Sequence, residues 1–211
     1  MKTVTKGTLL AIGLVWLFHF SAIIGISMGH KTWFITKTPL NLLACTILFG
    51  IIFSLNSRVK WFVFLTFFVI GMAVEWLGVN YSLLFGTYDY GQNLGLKFDG
   101  VPVFIGVNWA LLAFITGQIS SRFLKSSMPK ALLGASLMVV LDLFMEQVAP
   151  SFDFWSFGNH VPLENYVTWF IVAFIMQCIF QLKKISGNYP ICLHLFVAQL
   201  VFFGYFTLNP M

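Results

Sequence analysis

The sequence predicts an all-α fold: a polytopic integral membrane bundle of about seven transmembrane helices with its amino terminus in the cytoplasm. Three observations predict it. Of 211 residues, 59% are hydrophobic and 9% charged, whereas a soluble domain carries roughly 25% charged residues. Mean hydropathy is +0.88, so a soluble core would lack a polar coat. The apolar residues gather in seven runs near the length of about 20 residues that crosses a hydrocarbon core.

The runs are Thr8–Gly29, Pro39–Leu55, Val59–Leu84, Val101–Ile119, Pro129–Val148, Pro162–Leu182 and Pro190–Leu208. The first follows Lys2 and Lys6 as a signal peptide would. It is too long for an h-region and lacks a small-residue cleavage site, so it reads as a retained span. The second is short enough to be tilted or re-entrant, which leaves six or eight spans as alternatives. Pro39, Pro129, Pro162 and Pro190 open four runs, where a missing N–H is harmless. No repeat, linker or low-complexity segment appears, and the expectation is a single transmembrane domain over 1–211.

Basic residues set the orientation. Lys2, Lys6, Arg58, Lys60, Arg122, Lys125, Lys130, Lys183 and Lys184 fall on the amino-terminal side. Only Lys31, Lys37 and Lys97 fall on the other. This is a positive-inside bias. The net charge of +5 thus reflects topology, and a nucleic-acid partner is excluded because the charges are spread over several loop ends. The three cysteines, Cys45, Cys178 and Cys192, lie in apolar runs and do not form a disulfide framework.

All seven acids, Glu75, Asp89, Asp99, Asp142, Glu146, Asp153 and Glu164, fall in the outer half of the membrane or in outer loops. Glu75, Asp142 and Glu146 lie within spans, where a carboxyl is costly and marks function by default. Glu75 shares a helix face with Gly71, Gly78 and Ser82, small residues that admit either another helix or a ligand. Asp142 and Glu146, four apart, share a face of the fifth span. The outer loops add Trp155 and Tyr88-x-Tyr90 around Asp89, and the spans beside them add Asn108-Trp109 and Asn165 four before Trp169. An aromatic belt explains part of this, but not the paired tyrosines or the asparagines beside tryptophans.

Other chemistries lack their residues. His19, His30, His160 and His194 have no di-iron spacing, and each reads as structural or interfacial. No Cys/His set has zinc spacing. Neither a nucleotide-binding glycine motif nor a serine-nucleophile elbow is present. What remains is carboxyl, amide, phenol and indole on an apolar background. This is an acid–base site for an apolar substrate, with no cofactor and no metal.

Two blocks of this sequence resemble the bacterial carotenoid biosynthesis protein family, which includes membrane carotenoid 1,2-hydratases. The first is Glu75-x2-Gly78, Gly86-x-Tyr88-x-Tyr90, Leu94-Gly95 and Gly100-Val-Pro102 with Trp109 seven residues on. The second is Asp142, Asp153-Phe-Trp155 and Val161-Pro162-x2-Asn165-x3-Trp169. The sequence departs from the hydratases of that family at Phe157-Gly158-Asn159-His160, where they usually carry a Gly-Tyr-rich stretch just before the second Val-Pro.

The resemblance implies an apolar carotenoid substrate, a setting among membrane lipids in the bacterial inner membrane, and hydration of an acyclic ψ-end. Protonation at C2 would give a tertiary cation at C1, which water captures. Asp142 and Glu75 are the candidate acid and base, in an order the sequence leaves open, with Glu146 and Asp89 behind them. Tyr88, Tyr90, Trp109, Trp155 and Trp169 are candidates to stabilise the cation and pack the end group. Asn108 and Asn165 are candidates to hold the water. Two alternatives stand beside hydration: an end-group cyclase sharing the protonation step, and a carotenoid- or lipid-binding membrane protein without catalysis.

Overall fold

The structure is a computed structural model that describes residues 5–158 and 160–210. Lys2 and Asn159 lie outside the described residues. Six helical segments are long and apolar enough to cross a membrane, and the chain is a multi-pass, all-α membrane bundle. Every one of the seven apolar runs contains a helix.

Helix α1 spans Lys6–Gly25 and continues through a π-helical turn, Ile26–His30, into a short helix α2, Lys31–Ile35. Gly29 breaks the turn with φ of +92°. Helix α3, Thr38–Phe53, has 16 residues, about 24 Å at 1.5 Å per residue. This falls short of a full crossing, as the short second run anticipates. Helix α4 is Arg58–Tyr81 and α5 is Val103–Phe123. Helices α6, α7 and α8 are Ser127–Val148, Leu163–Leu182 and Tyr189–Leu208.

Run boundaries shift by up to four residues, as at Ile119, which the helix passes to reach Phe123, and two of the shifts have a local cause. The third run stops at Tyr81 because Ser82 adopts a left-handed conformation. Helix α5 begins after Pro102 because Val101–Pro102 is an extended strand.

Helix α5 is the central post. It is less apolar than α1 yet far more buried. It packs on α3, α4, α6, α7 and α8. Lipid tails are as apolar as leucine, so burial in a membrane is selected by small and polar groups rather than by hydropathy. Gly106, Asn108, Ala110, Ala113, Thr116, Gly117 and Ser120 supply them, all buried. Buried Gln177 of α7 donates to the Ala113 carbonyl and the Thr116 hydroxyl, both at 2.9 Å.

Four short strands that the hydropathy pattern did not announce close the end of the bundle that carries the acids. β1, Tyr88–Tyr90, pairs antiparallel with β4, Trp155–Phe157, matching Tyr88 to Phe157 and Tyr90 to Trp155. β2, Lys97–Phe98, pairs with β3, Val101–Pro102. The alternation Tyr-x-Tyr and Trp-x-Phe is the only local signal of the first pair. Asp153 locks the two loops together. Its carboxylate accepts the Gln92 N–H at 2.8 Å, and its backbone packs against Gly91, where a Cβ would lie 2.2 Å from the Asp153 carbonyl oxygen.

Small residues on the Glu75 face of α4 admit neighbours rather than a ligand. A Cβ at Gly71 would lie 2.7 Å from the Cβ of Trp109. Gly71→Ala is therefore expected to push α5 off α4 and destabilise the bundle by about 1–3 kcal/mol. Thermal denaturation in detergent measures this, and an unchanged midpoint would refute it.

Candidate active site

The polar centre is built on Glu75 of α4. Gly78, one turn on, leaves space for the Tyr88 ring, since a Cβ there would sit 2.7 Å from its hydroxyl. Strand alternation turns Tyr88 and Tyr90 to the same side of β1. Both hydroxyls donate to Glu75 Oε2, at 2.5 and 2.7 Å, and Trp109 Nε1 donates to Oε1 at 2.8 Å. Trp109 is held by stacking on Trp169, with centroids 3.7 Å apart and planes 16° from parallel. Glu75 is therefore a buried acceptor for three donors, each worth more than a neutral hydrogen bond when the carboxyl is ionised.

A second carboxyl faces it. Glu146 Oε2 accepts from Trp155 Nε1 at 2.9 Å, and Oε1 accepts from Asn165 Nδ2 at 3.1 Å. The same Asn165 amide reaches Asp142 Oδ2 at 3.3 Å. Asp142, one turn from Glu146, is fully buried, and its Oδ1 has no hydrogen-bond partner. Trp155 in turn packs edge-on against Tyr90, 6.1 Å between centroids. The β1–β4 pair thus carries donors for both carboxyls.

Glu75 and Glu146 line one cavity of about 20 Å³, room for a single water. Tyr88, Tyr90, Asn108, Trp109, Trp155, Asn165 and Trp169 line it too, with Phe85, Ile105, Met145 and Phe157 as its apolar walls. No lysine or arginine is among these residues. Ile105, Asn108, Met145 and Trp155 are shared with a much larger cleft of about 510 Å³. The cleft runs between α1, α2, α3, α5 and α8, and most of its lining is apolar. Asn108, 7% exposed, makes no side-chain hydrogen bond among the described residues and stands at the junction of the two spaces.

The structure thus brings nine of the eleven sequence-derived candidates to one cavity. Asp142 stands behind it, joined through Asn165. Asp89 is not brought there. It is exposed on the opposite side of β1 from Tyr88 and Tyr90, so its proximity in sequence does not become proximity in space. Phe85, Ile105, Met145 and Phe157 escaped sequence reading, because single apolar residues in an apolar chain carry no signal.

Burial, and then the Glu75 charge, hold the Tyr88 and Tyr90 phenols well above the ordinary tyrosine range. Protonated phenols therefore favour the folded β1–β4 end at neutral pH. That contribution is fully present below the unfolded tyrosine value of about 10 and is lost as pH rises above it. Stability in detergent is expected to fall in the alkaline range, and the fall to shrink in Tyr88→Phe/Tyr90→Phe. An equal alkaline loss in that variant would refute the assignment.

A family model described as "Carotenoid biosynthesis protein" matches residues 37–208, most of the chain and the whole of this site. Among curated proteins and solved structures, nothing matches.

Proposed function

The chain belongs to the carotenoid biosynthesis protein family, and on that premise we propose that it hydrates the C1=C2 double bond at the acyclic ψ-end of a carotenoid. The family membership carries a role in carotenoid biosynthesis in a membrane setting. The observation that supports the finer reading is the pair of carboxyls, Glu75 and Glu146, on one water-sized cavity that opens beside a large apolar cleft.

In this reading the polyene lies in the cleft and its end group passes the Ile105–Asn108–Met145–Trp155 border. Glu146 carries the proton. Glu75, already filled with three donors, acts as an acceptor. The π electrons of C1=C2 take the proton from Glu146 at C2, leaving a tertiary cation at C1. Indole faces beside the cation stabilise it by about 2 kcal/mol or more each when desolvated. A water placed by Asn108 adds through oxygen to C1, and its proton passes to Glu75. The product is a tertiary alcohol, and a proton returned from Glu75 to Glu146 resets the site. Asp142 holds Asn165 from behind, which orients Glu146.

Pigment analysis tests this. The chain is expressed in a bacterium that accumulates lycopene or γ-carotene, and extracts are separated by chromatography with mass detection. The expected product is heavier by one water. An isomer of unchanged mass with a blue-shifted spectrum would make the protein a cyclase, in which a C5=C6 bond captures the same cation. Unaltered pigment that co-purifies with the protein would make it a binding protein.

A further inference from the structure

Among the polar side chains that line the large cleft, His19 of α1 and Gln199 of α8 are buried, 6% and 8% exposed, and have no part in the chemistry above. Helices α1 and α8 pack directly on each other. The His19 ring lies edge-on to Phe202, 6.1 Å between centroids, and Phe202 is one turn beyond Gln199 on α8.

His19 Nδ1 bonds the Val15 carbonyl at 2.8 Å. A carbonyl only accepts, so Nδ1 carries the hydrogen, and in the neutral ring Nε2 is left as an acceptor. Nε2 has no partner among the described residues, and neither does the Gln199 carboxamide. Neither group is sealed among the fully enclosed atoms that lack hydrogen bonds. Both open onto the cleft.

We propose that His19 and Gln199 form a hydrogen-bonding subsite for a hydroxyl oxygen carried on an isoprenoid chain. A hydroxyl both donates, as Nε2 requires, and accepts, as the Gln199 amide N–H requires. A hydrocarbon does neither and leaves them unpaired in an apolar setting, where an unmade hydrogen bond is costly. The cleft therefore admits the plain hydrocarbon but holds an oxygenated isoprenoid of the same skeleton more tightly. This rests on reading the cleft as the berth of an isoprenoid chain, but not on any turnover at the carboxyls. His19 lies outside the residues matched by the family model and Gln199 lies inside them.

The test is a binding measurement on the purified full chain in detergent. All-trans-retinol, a conjugated isoprenoid alcohol, is compared with the hydrocarbon of the same skeleton lacking the hydroxyl. Trp33 and Trp155 line the cleft, and quenching of tryptophan fluorescence by energy transfer to the polyene reports occupancy. The alcohol-to-hydrocarbon affinity ratio is expected to be about tenfold higher for the natural chain than for His19→Leu/Gln199→Leu, one buried hydrogen bond's worth.

His19→Gln, which keeps a hydrogen-bonding group, is expected to retain most of the preference and serves where the double variant fails to fold. Glu146→Gln is expected to retain all of it, which separates this subsite from the hydration chemistry. Equal ratios in the natural chain and the double variant would overturn the proposal. So would no binding of either probe by the natural chain.

Discussion

Glu146→Gln is expected to abolish water addition while leaving the bundle folded. Glutamine has nearly the same shape as glutamic acid, and its carbonyl oxygen still accepts one of the two bonds from Trp155 and Asn165. What it lacks is a proton it can give to carbon. General acid catalysis is worth roughly a hundred- to ten-thousandfold, so the water adduct should fall by at least about a hundredfold per unit of protein. The check is pigment mass analysis normalised to protein yield, with a thermal melt in detergent beside it. An undiminished adduct would remove Glu146 from the acid role. Asp142→Asn is the companion: with Asp142 behind the cavity rather than on it, the adduct should be reduced but present.

Glu75→Gln should damage both fold and activity, for a different reason. Three donors converge on the Glu75 oxygens. An amide offers one acceptor oxygen and turns an NH2 group against the remaining donors. Each donor stranded in a buried site costs about 1–3 kcal/mol, so a lowered melting temperature should accompany loss of the adduct. The indole N–H of Trp109 only donates, so the amide oxygen turns to it and the NH2 group meets the two hydroxyls that shared Oε2; adding Tyr90→Phe removes one of that crowded pair. The double variant is expected to regain part of the stability and none of the activity, since residues in one network do not add. Recovery of the adduct in the double variant would mean that Glu75 serves only as scaffold.

Much of the fold was legible in the sequence because hydropathy over about 20 residues reports directly on transfer into the bilayer. The seven runs, the short second one and the depth of Glu75, Asp142 and Glu146 follow from that and from the 3.6-residue period. The β1–β4 pair was not legible. Three-residue strands joined over more than sixty residues leave only Tyr-x-Tyr and Trp-x-Phe as traces. Nor was the cleft legible, because His19 and Gln199 are far apart in sequence and the spacing of neither marks a site.

The sequence by itself determined that this protein is a helical membrane bundle, that its acids sit toward one end, and that Asp142 shares a helix face with Glu146. Helical spacing is local, so those conclusions need no partner. Only the tertiary structure decided which carboxyls meet. Glu146 lines the cavity and Asp142 stands behind it, set by how α6 packs on α7 and where Asn165 reaches. Asp89 is turned away by the register of β1 on β4, and Glu75 receives its donors from a strand and from α5. Periodicity fixes angles within a helix, whereas the angle between helices is fixed by side-chain packing at their contact, such as Trp109 against Gly71.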